Sequence, residues 1–163
     1  MANLHPTIDA LLKVVQSGKK EDLIPLLAED VLFKPPTYWK EWPGKEITAR
    51  ILSHVALIFK EFKYHRTIGD GQCFFLEFHC KVNGLDAVGV DIVTLDEAGL
   101  IKLFEVVMRP HKTVGELRKE MNLRTMQDPF FQKLAFNTLE TRELSFLLPT
   151  SFSEQDALLK HFS

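Results

Sequence analysis

The stretch VDIVTLDEAGLIKLFEVVMRP, residues 90–110, decides the fold. Both halves are rich in apolar and β-branched residues, and the turn residues DEAG lie between them, so the stretch predicts two antiparallel strands joined by a hairpin. Asp91 lies inside the first strand, although aspartate is disfavoured in strands and burial of a lone carboxylate is costly. Such an acid needs a partner or a role, and Asp91 is therefore our first candidate for a functional residue.

Two more strands precede this hairpin. The segment FKYHRTI (62–68) is followed by the turn residues GDGQ, and CFFLEFHCKV (73–82) is followed by the hairpin dipeptide NG. In the second segment the even positions are apolar, while several odd positions are polar, which is typical of a strand with one buried face. Together with 85–95 and 100–109, these segments predict an antiparallel sheet.

Helical patterns stand before the strands. Apolar residues recur every three or four positions in HPTIDALLKVVQSG (5–18) and in KEITARILSHVALIFKEF (45–62), which predicts two amphipathic helices. Between them, residues 20–36 predict a short helical turn and an extended piece at 31–34. Helices followed by hairpin-linked strands indicate an α+β fold with helices on one face of an antiparallel sheet.

The pattern becomes helical again after Pro110. TVGELRKEM predicts a short helix, and DPFFQKLAFNTLETRELSFLLP (128–149) predicts a longer one, with Asp128 as N-cap and Pro129 in the first position. SFSEQDALLKHF offers Ser153 as a further cap. These residues contain too many Phe and Leu for a disordered tail, so we expect them to pack on this subunit or on a partner.

The composition predicts a cytoplasmic globular protein with one core. Of the 163 residues, 45% are hydrophobic and 26% are charged, with a formal net charge of −2. We find no Lys/Arg run for nucleic acid, no secretory signal and no apolar stretch long enough for a membrane span. Cys73 and Cys80, an odd number of residues apart in one strand, point to opposite faces, so we expect two reduced thiols.

The order of these elements resembles the NTF2-like superfamily, and within it the SnoaL-like branch of ketosteroid isomerases, polyketide cyclases and limonene epoxide hydrolases. The motifs that carry the resemblance are LLAEDVLFKPP, WPGKEI and GVDIVTLDEAGLI, while FKYHR and VVMRP look like a subgroup of unassigned activity. The resemblance covers about residues 5–118. It implies a curved antiparallel sheet wrapped around the N-terminal helices as a cone, an apolar cavity, and a homodimer through the outer face of the sheet.

The same resemblance divides the chain into an NTF2-like domain, residues 1–122, and a helical C-terminal extension, residues 123–163. It also locates the three catalytic positions of ketosteroid isomerase. Asp91 matches the acid of the oxyanion hole, but Pro35 stands in the place of the general base and Leu11 in that of the tyrosine. Because neither proline nor leucine moves a proton, the resemblance argues against steroid isomerisation by that mechanism.

Three residues are candidates for acid–base chemistry. Asp91 is either a protonated acid with a raised pKa, which donates to a ligand carbonyl, or an ionised structural carboxylate bonded to Arg109, Tyr64 or backbone amides. Tyr64 shares a face with Arg66 in the predicted strand and could reach this acid. His54, in the middle of the second long helix, is a candidate partner, with a boundary histidine as the alternative.

The candidate ligand-binding residues are apolar. Trp39 and Trp42 could rim the cavity mouth and stack on a flat ligand, or could pin a loop by local packing. The remaining candidates lie at even positions of two strands, on the face expected to line the cavity: Phe74, Leu76, Phe78, Phe104, Val106 and Met108.

No metal-binding spacing, nucleophile motif or phosphate-binding glycine loop is found, so we expect neither a metal nor a cofactor. The sequence therefore predicts a protein that binds a hydrophobic small molecule. An isomerase, cyclase or dehydratase acting on a carbonyl compound is one alternative. A non-catalytic adaptor that binds a protein through the Phe-rich segment DPFFQKLAF is another.

Overall fold

A computed structural model of the protein describes residues 4–17 and 19–139. A 3-10 turn, Ile24–Leu26, lies between a short helix that ends at Leu23 and a strand that begins at Leu27. The helices are α1 (Pro6–Ser17), α2 (Lys20–Leu23), α3 (Lys45–Ile58), α4 (His111–Gln127) and α5 (Pro129–Leu139), and the strands are β1 (Leu27–Lys34), β2 (Trp42–Pro43), β3 (Lys60–Asp70), β4 (Cys73–Val82), β5 (Leu85–Leu95) and β6 (Ile101–Arg109). The predicted α+β class is confirmed.

The six strands form one sheet in the order β2-β1-β6-β5-β4-β3. Neighbours from β6 to β3 are antiparallel, as predicted, but β1 runs parallel to β6. The parallel pair is possible because a long excursion through α3 and four strands joins β1 to β6, whereas a hairpin would force them antiparallel. The sheet is therefore mixed, which the sequence pattern did not indicate.

The predicted hairpin at Asn83-Gly84 is confirmed, and it sets the register of β4 and β5. Both residues have positive φ angles, 48° and 77°, as a tight two-residue turn between twisted strands requires. Val82 pairs with Leu85 directly across the turn, and the antiparallel register continues from there to Cys73 and Thr94. This register places Asp91 opposite Leu76, in the middle of the sheet.

Side chains alternate between the two faces of β4 and β5. The even positions of β4 from Phe74 to Val82 are buried, and so are the odd positions of β5 from Ala87 to Leu95. Asp91 belongs to this inner set and has only 5% of its surface exposed. The inner face of the sheet is thus an apolar layer that contains one carboxyl group.

Gly89 makes room for an aromatic ring on the inner face. A Cβ atom there would lie 2.8 Å from the carbonyl oxygen of Val107 and would clash with the Cζ atom of the Phe78 ring. Phe78 cannot easily move away, because its ring stacks on Phe62 at a centroid distance of 5.2 Å and lies 5.8 Å from that of Phe59. Because Gly89 has no side chain, the Phe78 ring can lie directly over the backbone of β5.

α3 ends earlier, and β3 begins earlier, than the sequence predicted. The second long helix was expected to continue to residue 62, but α3 ends at Ile58 because Phe59 is already extended, with φ −68° and ψ 126°. A register shift between Tyr64 and Arg66 then breaks the alternation of β3. Tyr64 faces the interior, whereas Arg66 pairs with Glu77 on the other face, so the prediction that they share one face was wrong.

The chain divides into two compact units, Met1–Leu117 and Arg118–Ser163. In the second, Asp128 caps α5, since the backbone N–H of Phe130 donates to its Oδ1 atom at 2.9 Å, which confirms the predicted cap. The end of the predicted helix 128–149 and the cap at Ser153 lie outside the described residues. The domain boundary and the role of the extension stay predictions.

Both cysteines, Cys73 and Cys80, are free thiols, as predicted. Within residues 4–17 and 19–139, no helix has the length and hydropathy of a membrane span. A cytoplasmic location stays a prediction.

Candidate functional site

The first unit contains a cavity of about 430 Å³ between its helices and the inner face of the sheet. This volume lies within the range of pockets that enclose a whole small molecule. Its lining is mainly apolar, and the described residues that line it are Leu11, Val14, Val15, Ser17, Lys19, Leu23, Phe33, Pro36, Leu52, Ser53, Val55, Ala56, Phe59, Phe62, Tyr64, Asp91, Phe104, Val106 and Leu117. Asp91 is thus the one lining carboxyl group among them.

A hydrogen bond between two strands forms the polar centre of this cavity. The Tyr64 hydroxyl donates to Oδ2 of Asp91 at 2.6 Å. Tyr64 is on β3 and Asp91 on β5, and β4 lies between them in the sheet. The phenol therefore reaches across the inner face of β4, where Phe78 pairs with Tyr64 and Leu76 pairs with Asp91.

Burial determines the protonation of this pair. It raises the pKa of Asp91 from 3.8 to about 7, although the hydrogen bond from Tyr64 stabilises the charged form and partly opposes the shift. Burial also raises the pKa of Tyr64 well above its usual value, and the charge of Asp91 adds to this effect. The phenol therefore stays neutral, while the carboxyl group changes between acid and carboxylate near neutral pH.

Aromatic rings hold the Tyr64 side chain in place. The Phe62 ring meets it edge-on, with centroids 4.9 Å apart and an interplanar angle of 90°, and Phe78 meets it edge-on at 6.4 Å. Phe59 stacks on Phe62 at 5.9 Å. Such pairs favour defined ring orientations, so this aromatic wall directs the hydroxyl group towards Asp91.

Two of the three predicted acid–base residues meet in the structure. Asp91 and Tyr64 are hydrogen-bonded, which agrees with one of the structural partners considered for the acid. Arg109, the charged partner considered for Asp91, is exposed, and its backbone pairs with that of Val88 at the end of β6. His54 does not line the cavity, although its helical neighbours Ser53 and Val55 do.

The predicted ligand-binding residues separate into two groups. Phe104 and Val106 line the cavity. Phe74, Leu76 and Phe78 are buried in the core without lining it, and Met108 packs on the cluster around Phe78.

The two tryptophans also lie outside the lining. Trp39 is 93% exposed, so the loop presents it to solvent. Trp42 pairs with Phe33 in the short hairpin of β1 and β2, which agrees with the local packing considered as its alternative. Neither ring closes the cavity as it stands.

Much of the lining was not singled out from the sequence. Val14 and Val15 come from α1, and Leu52 comes from α3, whose apolar stripes were recognised but not assigned to a cavity. Phe59 was missed because it was taken as part of the helical stripe, and Phe62 was recognised only as the start of a strand. Within the described part of the chain, no cluster of three His, Cys, Asp or Glu side chains is arranged to hold a metal ion.

No family model and no curated protein matches the chain. An uncharacterized protein with a cystatin-like fold from Silicibacter pomeroyi is 54% identical, with a TM-score of 0.79, over 81% of this chain and 94% of that one. A steroid delta-isomerase from Pseudomonas aeruginosa is 30% identical, with a TM-score of 0.73, over 78% of this chain and 94% of that one.

More distant structures share the fold. An NTF2-like protein of unknown function from Burkholderia xenovorans is 17% identical, with a TM-score of 0.56, over 65% of this chain and 86% of that one. Sheet order, cavity and neighbours define an α+β protein of the cone type with a cystatin-like fold. The chain belongs to the NTF2-like superfamily, among its ketosteroid isomerase-like proteins. Its assignment to the SnoaL-like branch stays a prediction.

The raised pKa of Asp91 predicts a loss of stability with rising pH. Below about pH 4 the group is protonated in both the folded and the unfolded chain. As the pH rises towards 7, the unfolded chain releases this proton and the folded chain retains it, so unfolding becomes easier. The shift from 3.8 to about 7 corresponds to a penalty on the order of 4 kcal/mol.

Asp91→Asn removes this titration while keeping an acceptor for Tyr64. We expect the free energy of unfolding of Asp91→Asn, relative to wild type, to increase by up to about 4 kcal/mol between about pH 4 and pH 8. Urea denaturation at each pH measures the difference. Asp86→Asn, at an exposed site on the same strand, is the control and should show no such trend. A difference for Asp91→Asn that does not change with pH would show that the buried acid has an ordinary pKa.

Proposed function

We propose that the protein binds a hydrophobic small molecule that carries a hydrogen-bond acceptor, such as a carbonyl oxygen. The observation that supports this proposal is the pair of Asp91 and Tyr64 within an otherwise mainly apolar cavity of about 430 Å³. Enclosed apolar pockets with few, well-placed polar groups are typical of small-molecule sites. The apolar lining favours a hydrophobic ligand, and the polar pair selects its orientation.

The protonated form of Asp91 is the form suited to this role. Tyr64 already donates its proton to Oδ2, so the carboxyl group has its Oδ1 side for a ligand. A neutral acid donates a hydrogen bond to an acceptor, whereas a carboxylate repels it. Because the lining is mainly apolar, such a bond is stronger there than in solution.

Binding should therefore depend on the proton of Asp91. We expect affinity for a hydrophobic ketone to fall roughly threefold to tenfold as the pH rises through about 7, which is the contribution of one hydrogen bond. Displacement of the neutral dye phenylnaphthylamine, followed by fluorescence, measures the affinity. The parent hydrocarbon, which lacks the acceptor, should show no pH dependence.

Two variants make this experiment specific. Asp91→Asn carries an amide N–H at every pH, so its affinity for the ketone should not change across this range. Ala56→Trp places an indole among the lining residues and should abolish dye binding. If Ala56→Trp binds the dye as well as wild type does, the ligand does not occupy this cavity and the proposal fails.

A second candidate function is proton transfer on such a ligand. Two observations favour it: the pKa of Asp91 near 7 suits an acid–base catalyst at neutral pH, and the similar Pseudomonas protein is a steroid delta-isomerase. Leu11 lines the cavity where the resemblance expects a tyrosine, and Pro35 replaces the base. Asp91 would then act as the base itself, taking a proton beside the ketone carbonyl and returning it two carbons away. His54 has no part in this scheme, because it does not line the cavity.

Turnover of a β,γ-unsaturated ketosteroid to its conjugated isomer tests this candidate. The rate should rise with pH through about 7, because the carboxylate is the base, and Asp91→Asn should lower it roughly a hundredfold or more. Absorbance of the conjugated product gives the rate, and Asp86→Asn serves as the control. Equal rates for wild type and Asp91→Asn would reject catalysis by this group.

The adaptor alternative receives less support. Phe131, in the Phe-rich segment, is buried, with 1% of its surface exposed, and its ring packs edge-on against Phe130 at 5.3 Å. A docking residue would need to be accessible to a partner. Deletion of residues 123–163 remains the test: a stable core that loses a bound protein would support the adaptor.

We also propose a homodimer through the outer face of the sheet. Ile68, Phe75 and Val107 on this face are 65%, 45% and 54% exposed. Ile68 pairs with Phe75 across β3 and β4, which makes a contiguous apolar surface on that side. Adjacent exposed apolar side chains on a sheet face suit contact with a second copy of the chain.

Phe75→Glu places a charge in this apolar surface and should convert the dimer to a monomer in sedimentation velocity. Leu57→Glu is the matched control, since Leu57 is 57% exposed on α3, away from the sheet, and should leave the dimer intact. A wild-type protein that sediments as a monomer would contradict the proposed dimer.

A further inference from the structure

We infer that the ligand is an amphipathic anion, whose charged end is held at the cavity mouth by Lys19. The inference rests on the proposed function and specifies the chemical class of the ligand. Within the described lining, Lys19 is the one cationic side chain, and it is exposed, whereas Asp91 is 5% exposed. The cavity therefore offers a deep acid and phenol at one position and a superficial ammonium group at another.

Lys19 lies in the connection between α1 and α2, next to a second polar lining residue. Ser17, the last residue of α1, also lines the cavity, and its hydroxyl donates to the carbonyl oxygen of Val14 at 2.9 Å. The same hydroxyl oxygen accepts a hydrogen bond from the backbone N–H of Lys19 at 3.4 Å. No side chain within residues 4–17 and 19–139 forms an ion pair with the Lys19 ammonium, so its charge is available to a ligand.

Lys19 and Asp91 lie on different elements of the cavity lining, the connection between α1 and α2 and the strand β5. A cation within a few ångströms of a carboxyl group lowers its pKa appreciably. The pKa of Asp91 responds to burial and to the hydrogen bond from Tyr64, with no contribution from Lys19. The positions of the two residues agree with this, because Asp91 is 5% exposed in the middle of the sheet and Lys19 is exposed between α1 and α2. The other lining residues are mainly apolar, so a ligand that contacts both groups needs an apolar body between its polar ends.

The orientation of such a ligand follows from the cost of burying charge. An anionic group beside Asp91 would lose its hydration and, above about pH 7, would face a second negative charge. At the mouth the same group keeps most of its water and gains the attraction of Lys19. The charged end therefore points outwards, and the apolar body with its acceptor enters first.

A lysine selects the charge of the ligand rather than its shape. Its ammonium is a point charge on a flexible stem, and it pairs with carboxylate or sulfonate alike. The class inferred here is accordingly a hydrophobic acid, and a sulfonate is an adequate probe of it. Lys63, which lines a separate cavity of about 270 Å³ beside β3, offers a matched control cation.

Two dyes with the same ring system test this inference: anilinonaphthalene sulfonate, which is anionic, and phenylnaphthylamine, which is neutral. Wild type should bind the sulfonate roughly threefold to tenfold more tightly than Lys19→Gln does, and Lys19→Glu should bind it more weakly still. High salt should reduce the effect of the substitution. Affinity for the neutral dye should be the same in all three proteins, and Lys63→Gln should bind both dyes as wild type does.

The two dyes separate the failure of this inference from that of the proposed function. If wild type binds the neutral dye and Lys19→Gln keeps the full affinity for the sulfonate, the anionic class is wrong while the cavity remains a binding site. If Lys63→Gln loses sulfonate affinity instead, the anion occupies the neighbouring cavity and the assignment to Lys19 is overturned. If neither dye binds to wild type, both proposals fail.

Discussion

The hydrogen bond from Tyr64 to Asp91 is the constraint on which the interior depends. A buried carboxyl group without a partner would cost several kcal/mol, and the phenol is the side chain that satisfies it at 2.6 Å. To do so, β3 must lie beyond β4 at the sheet edge, with its Tyr64 face turned inwards. The aromatic wall, the break in the alternation of β3 and the place of the edge strand all serve this contact.

The sheet could be predicted largely from local chemistry. The Asn83-Gly84 turn requires positive φ angles that few residue pairs adopt readily, so it determined the register of two strands. Alternation along β4 then separated inner from outer positions, and the hairpin between β4 and β5 carried the same alternation to Asp91. Successive side chains of a strand point to opposite faces, so one known position determines the face of every other residue. Asp91 then belongs to the inner face.

Other features depend on contacts that no local pattern records. Phe59 continued the apolar stripe of α3, and nothing in its spacing marked the change to an extended chain. The bulge beside Tyr64 reverses the faces of β3, so period-two reasoning placed Arg66 on the wrong side. The parallel pairing of β1 with β6 arises from the path of the whole chain. The cavity lining depends on where α3 ends, on the bulge in β3 and on the path of the chain. Local sequence patterns therefore do not predict it.

An acid with a pKa near 7 in this interior lowers the stability of the protein at neutral pH, and a purely structural role does not require that cost. A structural contact to Tyr64 would be equally satisfied by Asn, which carries no charge to desolvate. The carboxyl group differs from the amide in being able to bind and release a proton. A ligand that accepts a hydrogen bond from the protonated form binds together with that proton, so each raises the affinity for the other. Proton and ligand are then linked through one side chain, and the destabilisation at neutral pH is offset whenever the cavity is occupied.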